Sequence, residues 1–466
     1  MEKPPSPSED WRIRRVRSLG LDPYPGRCHP RTPVSEIIRR AKSGGGGDVW
    51  AAGRLLGFDG KRHGRCLVLS DLTGSLPIAV DPNGLSAEGR KALDLLEAGD
   101  ILEVRLRPAK DGFTAEEVRL LAPCLQSGKA GAKALPEPEV LRLRARVLKA
   151  VRGYFDARGY LEVETPALLP TADPAPHLAP FVTEYADSRT RRRLFLQTSP
   201  ELCMKRLLGA GHERIYQITK FFRNGERTSL HNPEFTGLEW YEAYADYRSA
   251  METAEGLVYD VARTALGRDE IRSGGMTIGL RPPWERLSVR EAFRSHAGVD
   301  LWACLSRRSL AESARCIGIH VAKDDTWEDL FFKISLGRVE PHLGRSRPTL
   351  LLDYPAPLAL LAKRKADDPA VAERFEIFAG GMELANGFTE LNDPQEQRAR
   401  WEREIQVRRR EDPGASPPLD EPFLGALRLG VPPAAGVALG LDRLILLLSD
   451  RRDIGEVRCF AYDPGE

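Results

Sequence analysis

FFRNGERTSLHNPEF, residues 221–235, sets phenylalanines at both ends of a stretch that holds two arginines, a Gly-Glu pair, a histidine and Asn-Pro. The aromatic ends read as strands and the polar middle as a flexible loop. Its cations, Arg223, Arg227 and His231, are read as meant for a partner outside the chain. Beyond the loop the pattern re-enters a strand, PEFTGLEWYEAY. Alternation puts Phe235, Gly237, Glu239 and Tyr241 on one face of it. An aromatic ring, a space-making glycine, a carboxylate and a phenol form a poor core surface. They form a good floor for a flat ring beside a cationic group. The same face also fits a plainer role, with Glu239 paired to a structural arginine.

Two more stretches have this character. RFEIFAGGMELANGFTELND, residues 374–393, reads as two strands around an AGG turn. Folded as a hairpin, it would let Glu376 and Glu383 converge as hard oxygen ligands for Mg²⁺. Further along, Asn386, Phe388 and Glu390 share one face by the period of two, although a solvated edge strand would show the same pattern. In GVALGLDRLILLL, residues 436–448, small residues let a backbone or ligand approach closely. Arg443 there opens an apolar helix, where it meets either something anionic or a local cap.

The rest of the chain supplies the frame. Its 466 residues predict about two or three domains. A hydrophobic share of 42%, a charged share of 29% and a net charge of only +2 exclude a globally basic nucleic-acid binder. Seven scattered cysteines make no CxxC pair, which excludes a disulfide framework and argues against zinc. No eighteen apolar residues run together and MEKPPSPSEDWRIRR has no apolar export segment, so a soluble, cytoplasmic protein without membrane contact is expected. Residues 1–47 read as a leader with a short helical extension. Residues 48–125 hold five short strand patterns with one helical stretch before the fourth, the texture of a five-stranded OB-like β-barrel. Residues 126–139 are linker-like, and residues 140–466 form an α+β region in which 248–345 reads as a mostly helical insertion.

With YLEVETP (160–166), the three stretches resemble motifs 1, 2 and 3 of the class II aminoacyl-tRNA synthetases. ELCMKRL, FRN, HNPEF, NGFTELND and ALGLDRL are similar to lysyl-tRNA synthetase in particular, as are GLDPYP in the leader and LSDLTG in the barrel. The resemblance implies a class II catalytic domain, an antiparallel sheet flanked by helices, and a homodimer built through motif 1. It implies attack of an amino-acid carboxylate on the α-phosphate of ATP, with no protein nucleophile, so that catalysis is positioning and charge neutralisation. By resemblance, Arg223 holds the α-phosphate, Arg443 the γ-phosphate and His231 the outer phosphates, while Phe235 stacks on adenine. Glu376 and Glu383 carry Mg²⁺. Glu239 and Glu390 bracket a lysine-like ammonium beside Tyr241 and Phe388, Glu201 takes the other amino group, and Asn386 takes the carboxylate. One departure stands out. The family reads Arg-Asn-Glu in motif 2, whereas here Arg223-Asn224-Gly225 precedes Glu226, which is expected to reach adenine through a shifted loop.

Two acceptors fit: tRNA(Lys), as in the synthetases, or a lysine side chain of elongation factor P, as in a related ligase. A non-catalytic synthetase-like binding protein is the third possibility, opposed by the full set of charged site residues. The ligases generally consist of the catalytic domain alone, so the barrel speaks for tRNA. Against it, Cys66 and Pro77 stand where synthetases place an anticodon-stacking phenylalanine and a base-reading glutamine. Ala438 stands where the synthetases carry glycine and the ligases alanine, and its methyl fits (R)-β-lysine. GRVEPHLGRSRPTLLLDYPAP, MELANGF and GEVRCFAYD also resemble the ligases. The expectation drawn is transfer of lysine or (R)-β-lysine to elongation factor P, with charging of tRNA(Lys) as the alternative.

Overall fold

Strict alternation builds the N-terminal unit. In the strand Gly74–Val80, Leu76, Ile78 and Val80 point inward while Ser75, Pro77 and Ala79 face out. A computed structural model describes residues 10–43, 47–59, 66–109, 112–125, 136–173, 175, 178–411 and 417–463; the start of the leader and most of the linker lie outside them. The chain divides into two compact units, Met1–Ala132 and Lys133–Glu466.

Five strands close the barrel of the first unit in the order Val49–Asp59, Cys66–Asp71, Gly74–Val80, Gly112–Ala122 and Ile101–Ala109, which is OB-like. The helix Ala87–Leu93 falls between the third and fourth strands of the chain, as the pattern predicts. Leu55, Leu67, Leu69, Ile78, Leu102 and Val104 fill the interior without exposure. Two leader helices, Trp11–Ser18 and Val34–Lys42, add Val16, Val34 and Ile37 to that core. One ion pair fastens the first of them. Both terminal nitrogens of Arg12 donate to Asp100 at 3.0 Å, and Asp100 also accepts the backbone N–H groups of Glu97 at 2.8 Å and Cys124 at 2.6 Å.

In the second unit an eight-stranded sheet runs Glu285–Ser288, Thr349–Pro355, Val371–Ala379, Met382–Thr389, Ala434–Gly440, Glu234–Ala243, Arg214–Phe222, Leu161–Glu162. Only its two outermost pairings are parallel. The helix Tyr247–Leu266 packs on the sheet and on the helix Pro138–Asp156. Between them Phe155 stacks on Tyr216 at 4.7 Å and Trp240 is buried. The stretch 248–345 is composite. Most of the helix Tyr247–Leu266 belongs to it yet packs in the main core, and Glu285–Ser288 joins the main sheet. Its remaining helices surround a separate core of Phe293, Leu310, Phe331 and Ile334. Local periodicity marks such segments as helical without saying which core they serve. Among the described residues no helix is long and apolar enough to cross a membrane.

Asp100 is wholly buried with four bonds, so Asp100→Ala leaves the buried Arg12 guanidinium with only the Leu95 and Cys124 carbonyls and the more distant Glu97. Loss of about 3–5 kcal/mol from the barrel unit is expected, read from its denaturant midpoint by Trp11 and Trp50 fluorescence.

Candidate active site

Three neighbouring strands set the floor of the site. Ala438 lies opposite Glu239 on one side and opposite Asn386 on the other. Gly436, two residues back on the same face, lies opposite Tyr241 and Phe388. A Cβ on Gly436 would come within 2.3 Å of the Tyr241 ring and 2.5 Å of Glu390 Oε1, so no side chain fits there. Gly237 makes the same concession to Phe221, whose ring a Cβ would approach to 2.3 Å.

Two cavities meet over this floor. The larger, about 940 Å³, is lined by Ser199, Glu201, Glu239 and Phe388 among others. A smaller one, about 80 Å³, is lined by Glu226, His231, Phe235, Glu383 and Arg443. Phe221, Arg223, Asn386 and Ala438 border both. The larger thus presents the Glu239 carboxylate and the smaller the Arg443 guanidinium beside Glu226 and Glu383, and the two adjoin at Arg223.

In the smaller cavity, Arg443 is held from three directions. It donates to Glu383 through the backbone oxygen at 2.9 Å and the carboxylate at 3.2 Å, to Leu230 O at 3.4 Å, and to His231 Nε2 at 2.6 Å. A guanidinium only donates, so Nε2 of His231 accepts and its proton sits on Nδ1, facing Thr228 Oγ1 at 2.8 Å. Burial, then the charge of Arg443, holds the imidazole below its usual pKa and neutral. Both ring nitrogens are thus engaged by the protein, and His231 orients Arg443. Arg223 lies 5.2 Å from the centroid of the Phe235 ring and 3.8 Å from Glu226, while its Nε is buried without a hydrogen-bond partner. Phe235 also stacks on Phe221 at 5.1 Å. Gly225 adopts φ +82° with open space around it, a left-handed turn that brings Glu226 into the cavity wall.

The two carboxylates expected to carry a metal lie close enough for each to feel the other's charge. A bulge at Ile377–Phe378 makes this possible, because Glu383 precedes Asn386 by three residues and strict alternation would turn it away. Burial pushes the Glu376 carboxyl up, and Arg374 opposes this from 2.7 Å. Hard, paired oxygen donors suit Mg²⁺, with arginine counter-ions already at each of them.

In the larger cavity, Glu239 is buried and accepts from Ser199 Oγ at 2.5 Å and from the Tyr241 hydroxyl at 3.0 Å. Burial, then the charge of Glu201, pushes its carboxyl up to about 8. Glu390 is equally buried but sits behind the cavity wall, in an ion pair with Lys205. The expected bracket of Glu239 and Glu390 around an incoming ammonium is therefore unequal. Glu239 faces the cavity without a cation, and Glu390 already has one. Lys205, Ser199 and Arg374 went unassigned in the sequence. The signal for Lys205 was its place four residues after Glu201, one helical turn away.

Glu239 yields a pH test. Its folded pKa of about 8 lies above the ordinary 4.5, so the folded state holds this proton more tightly than the unfolded chain. Stability from this group is present at low pH and lost as pH rises between those values. Thermal unfolding from pH 5 to pH 8 should show a flatter decline for Glu239→Gln than for the wild type; parallel curves would contradict the assignment.

Comparison with known proteins shows the family. The family model described as tRNA synthetases class II (D, K and N) matches residues 135–464. A lysine–tRNA ligase of Pelotomaculum thermopropionicum is 34% identical over 492 residues, spanning 97% of this chain and 94% of the relative. Lysine–tRNA ligases of Moorella thermoacetica (35%, 96% and 95%) and Chloroflexus aurantiacus (33%, 97% and 96%) match along the same extent, barrel included. Those names support the tRNA alternative over the elongation factor P reading drawn from Cys66, Pro77 and Ala438. The chain belongs to the class II tRNA synthetases of the D, K and N group, as a ligase with an OB-like barrel ahead of its catalytic domain.

Proposed function

We propose that the enzyme joins lysine to ATP as lysyl-adenylate and then passes the lysyl group to the 3′ end of tRNA(Lys). The observation that carries this reading is the junction, along Arg223, Asn386 and Ala438, of a cavity holding the Glu239 carboxylate with one holding the Arg443 guanidinium, in a chain matched along nearly its whole length by lysine–tRNA ligases. Lysine's side-chain ammonium faces Glu239, its second amino group Glu201, and its carboxylate Asn386. This aims the carboxylate oxygen at the α-phosphate. As that oxygen bonds to phosphorus, the bond to the β-phosphate breaks and pyrophosphate leaves. Arg223, with its unpartnered buried Nε, neutralises charge at the α-phosphate, and Arg443 does so further out. Glu376 and Glu383 would hold Mg²⁺, which neutralises phosphate oxygens when bound. The tRNA hydroxyl then attacks the acyl carbon and AMP departs.

A homodimer and a cytoplasmic setting belong to the same proposal. Leu161, Leu168, Val182 and Tyr185 lie exposed on the short strands around motif 1, and all seven cysteines are free. A second reading keeps elongation factor P as acceptor. Its support is the Ala438 methyl between Glu239 and Asn386, together with an outer barrel face that offers Cys66 and Pro77 in place of an aromatic and an amide.

Lysine-dependent pyrophosphate exchange is the first expected result, with Arg443→Ala slower by roughly 10²–10³-fold. Offered both acceptors side by side, the enzyme should charge tRNA(Lys); a mass gain of one lysyl group on elongation factor P with uncharged tRNA would reverse the acceptor. Ala438→Gly should shift preference from β-lysine towards α-lysine, and an unchanged ratio would remove that methyl from the second reading.

A further inference from the structure

Lys205 is 1% exposed, on the helix Glu201–Gly209. Its ammonium donates to Glu201 Oε1 at 2.6 Å, pairs with Glu390, and lies 5.1 Å from the centroid of the Phe388 ring. Its charge also reaches Glu239 on the neighbouring strand and Asp173 at the cavity margin, where Arg408 supplies a second cation. Tyr241, un-ionised through burial, completes the surroundings. Around Lys205 stand the carboxylates of Glu201 and Glu390, with Glu239 on the cavity side. A diamino acid brings two ammonium groups, and Lys205 is the third.

We propose that Lys205 is a positioning residue that sets specificity: by bonding Glu201 and pairing with Glu390 it holds both carboxylates in place, so that a substrate with two ammonium groups finds Glu201 as well as Glu239 aimed at it. This rests on the diamino-acid reading above. Coulomb's law alone argues the opposite, since deleting a cation from an acidic pocket should tighten lysine binding. The outcome differs because buried carboxylates stripped of their partner take up protons instead of staying charged. Burial already pushes Glu390 up, with Lys205 as the first opposing influence, and both partners' charges hold Lys205 ionised against its own burial. Without Lys205, Glu390 rises further from about 8 and Glu201 loses the bond that aims it, so lysine meets a wall that holds its protons more tightly and is less ordered.

The test is Lys205→Met in pyrophosphate exchange with lysine from pH 6.5 to 8.5, with thermal unfolding as the check on folding. At pH 7 the KM for lysine should rise on the order of 10-fold while that for ATP stays near the wild-type value. Log KM in the wild type should level off above about pH 8, where Glu239 and Glu390 titrate, whereas in the variant it should still be falling at pH 8.5. Lys205→Arg should restore the wild-type slope. Should Lys205→Met not fold, Lys205→Gln gives the same comparison. An unchanged or lower lysine KM at pH 7, a matching rise for ATP, or an unaltered slope overturns the inference. If the wild type itself exchanges pyrophosphate with no diamino acid, the site reading has failed first, and the role of Lys205 goes with it.

Discussion

The register that sets Asn386, Ala438 and Glu239 side by side is the constraint on which the site depends. A one-residue slip in any of these strands turns every side chain to the other face, so the acidic wall would vanish into the helical layer. Asp442 guards against that slip. Buried two residues past the central strand, it accepts the Thr236 backbone N–H at 2.9 Å, Arg144 at 2.6 Å and Arg458 at 2.5 Å. One carboxylate thus pins the neighbouring strand, the first long helix and the C-terminal segment at a single point. Arg443, the next residue, takes its direction from this anchor and reaches across to Glu383 on the third strand.

Charge organises what register positions. Glu239 and Glu390 are buried, Glu201 and Glu376 nearly so and Glu383 partly exposed, and the deeper a carboxylate lies the more its charge depends on a partner. The structure meets this condition differently at each. Glu376 has Arg374, Glu383 has Arg443, and Glu201 and Glu390 share Lys205. Glu239 has hydroxyl donors and no cation. That asymmetry gives the pocket its polarity, because an ammonium entering the cavity finds one carboxylate whose need is unmet. On the other side Arg223 is the counterpart, a cation with a buried nitrogen that no acceptor among the described residues satisfies. The two unmet groups face the junction of the cavities, where a carboxylate and a phosphate must meet for an adenylate to form.

Much of this was legible from the order of residues. The phase of Phe235, Gly237, Glu239 and Tyr241, the AGG turn and the five-strand texture of the barrel are local properties, and local properties survive the passage from sequence to fold. Partnerships across long intervals did not. Nothing adjacent to Glu390 announces Lys205, which lies 185 positions away by simple subtraction of their numbers. The bulge at Ile377–Phe378 was invisible because alternation assumes a regular ladder, and the convergence of Glu376 and Glu383 was foreseen only through the turn between them. His231 was read as a phosphate contact from its place in a cationic loop. Its two bonds, to Thr228 and Arg443, depend on how the loop folds back, and composition is silent on that.

The acceptor is a different kind of question. The proposed adenylate chemistry would be confined to the cavity, where a few tenths of a nanometre decide, so a handful of residues would carry it. An acceptor is recognised over a broad surface, and each contact there is weak enough to be exchanged for another. Cys66 and Pro77 remove one stacking ring and one amide from the outer barrel face, yet stacking contributes about 1–3 kcal/mol per base and can be supplied by other strands. Trp50, stacked on His29 at 3.8 Å and partly exposed on the first barrel strand, is such an aromatic already in place. The loss of two expected side chains therefore weighs less against RNA than whole-length similarity, barrel included, weighs for it.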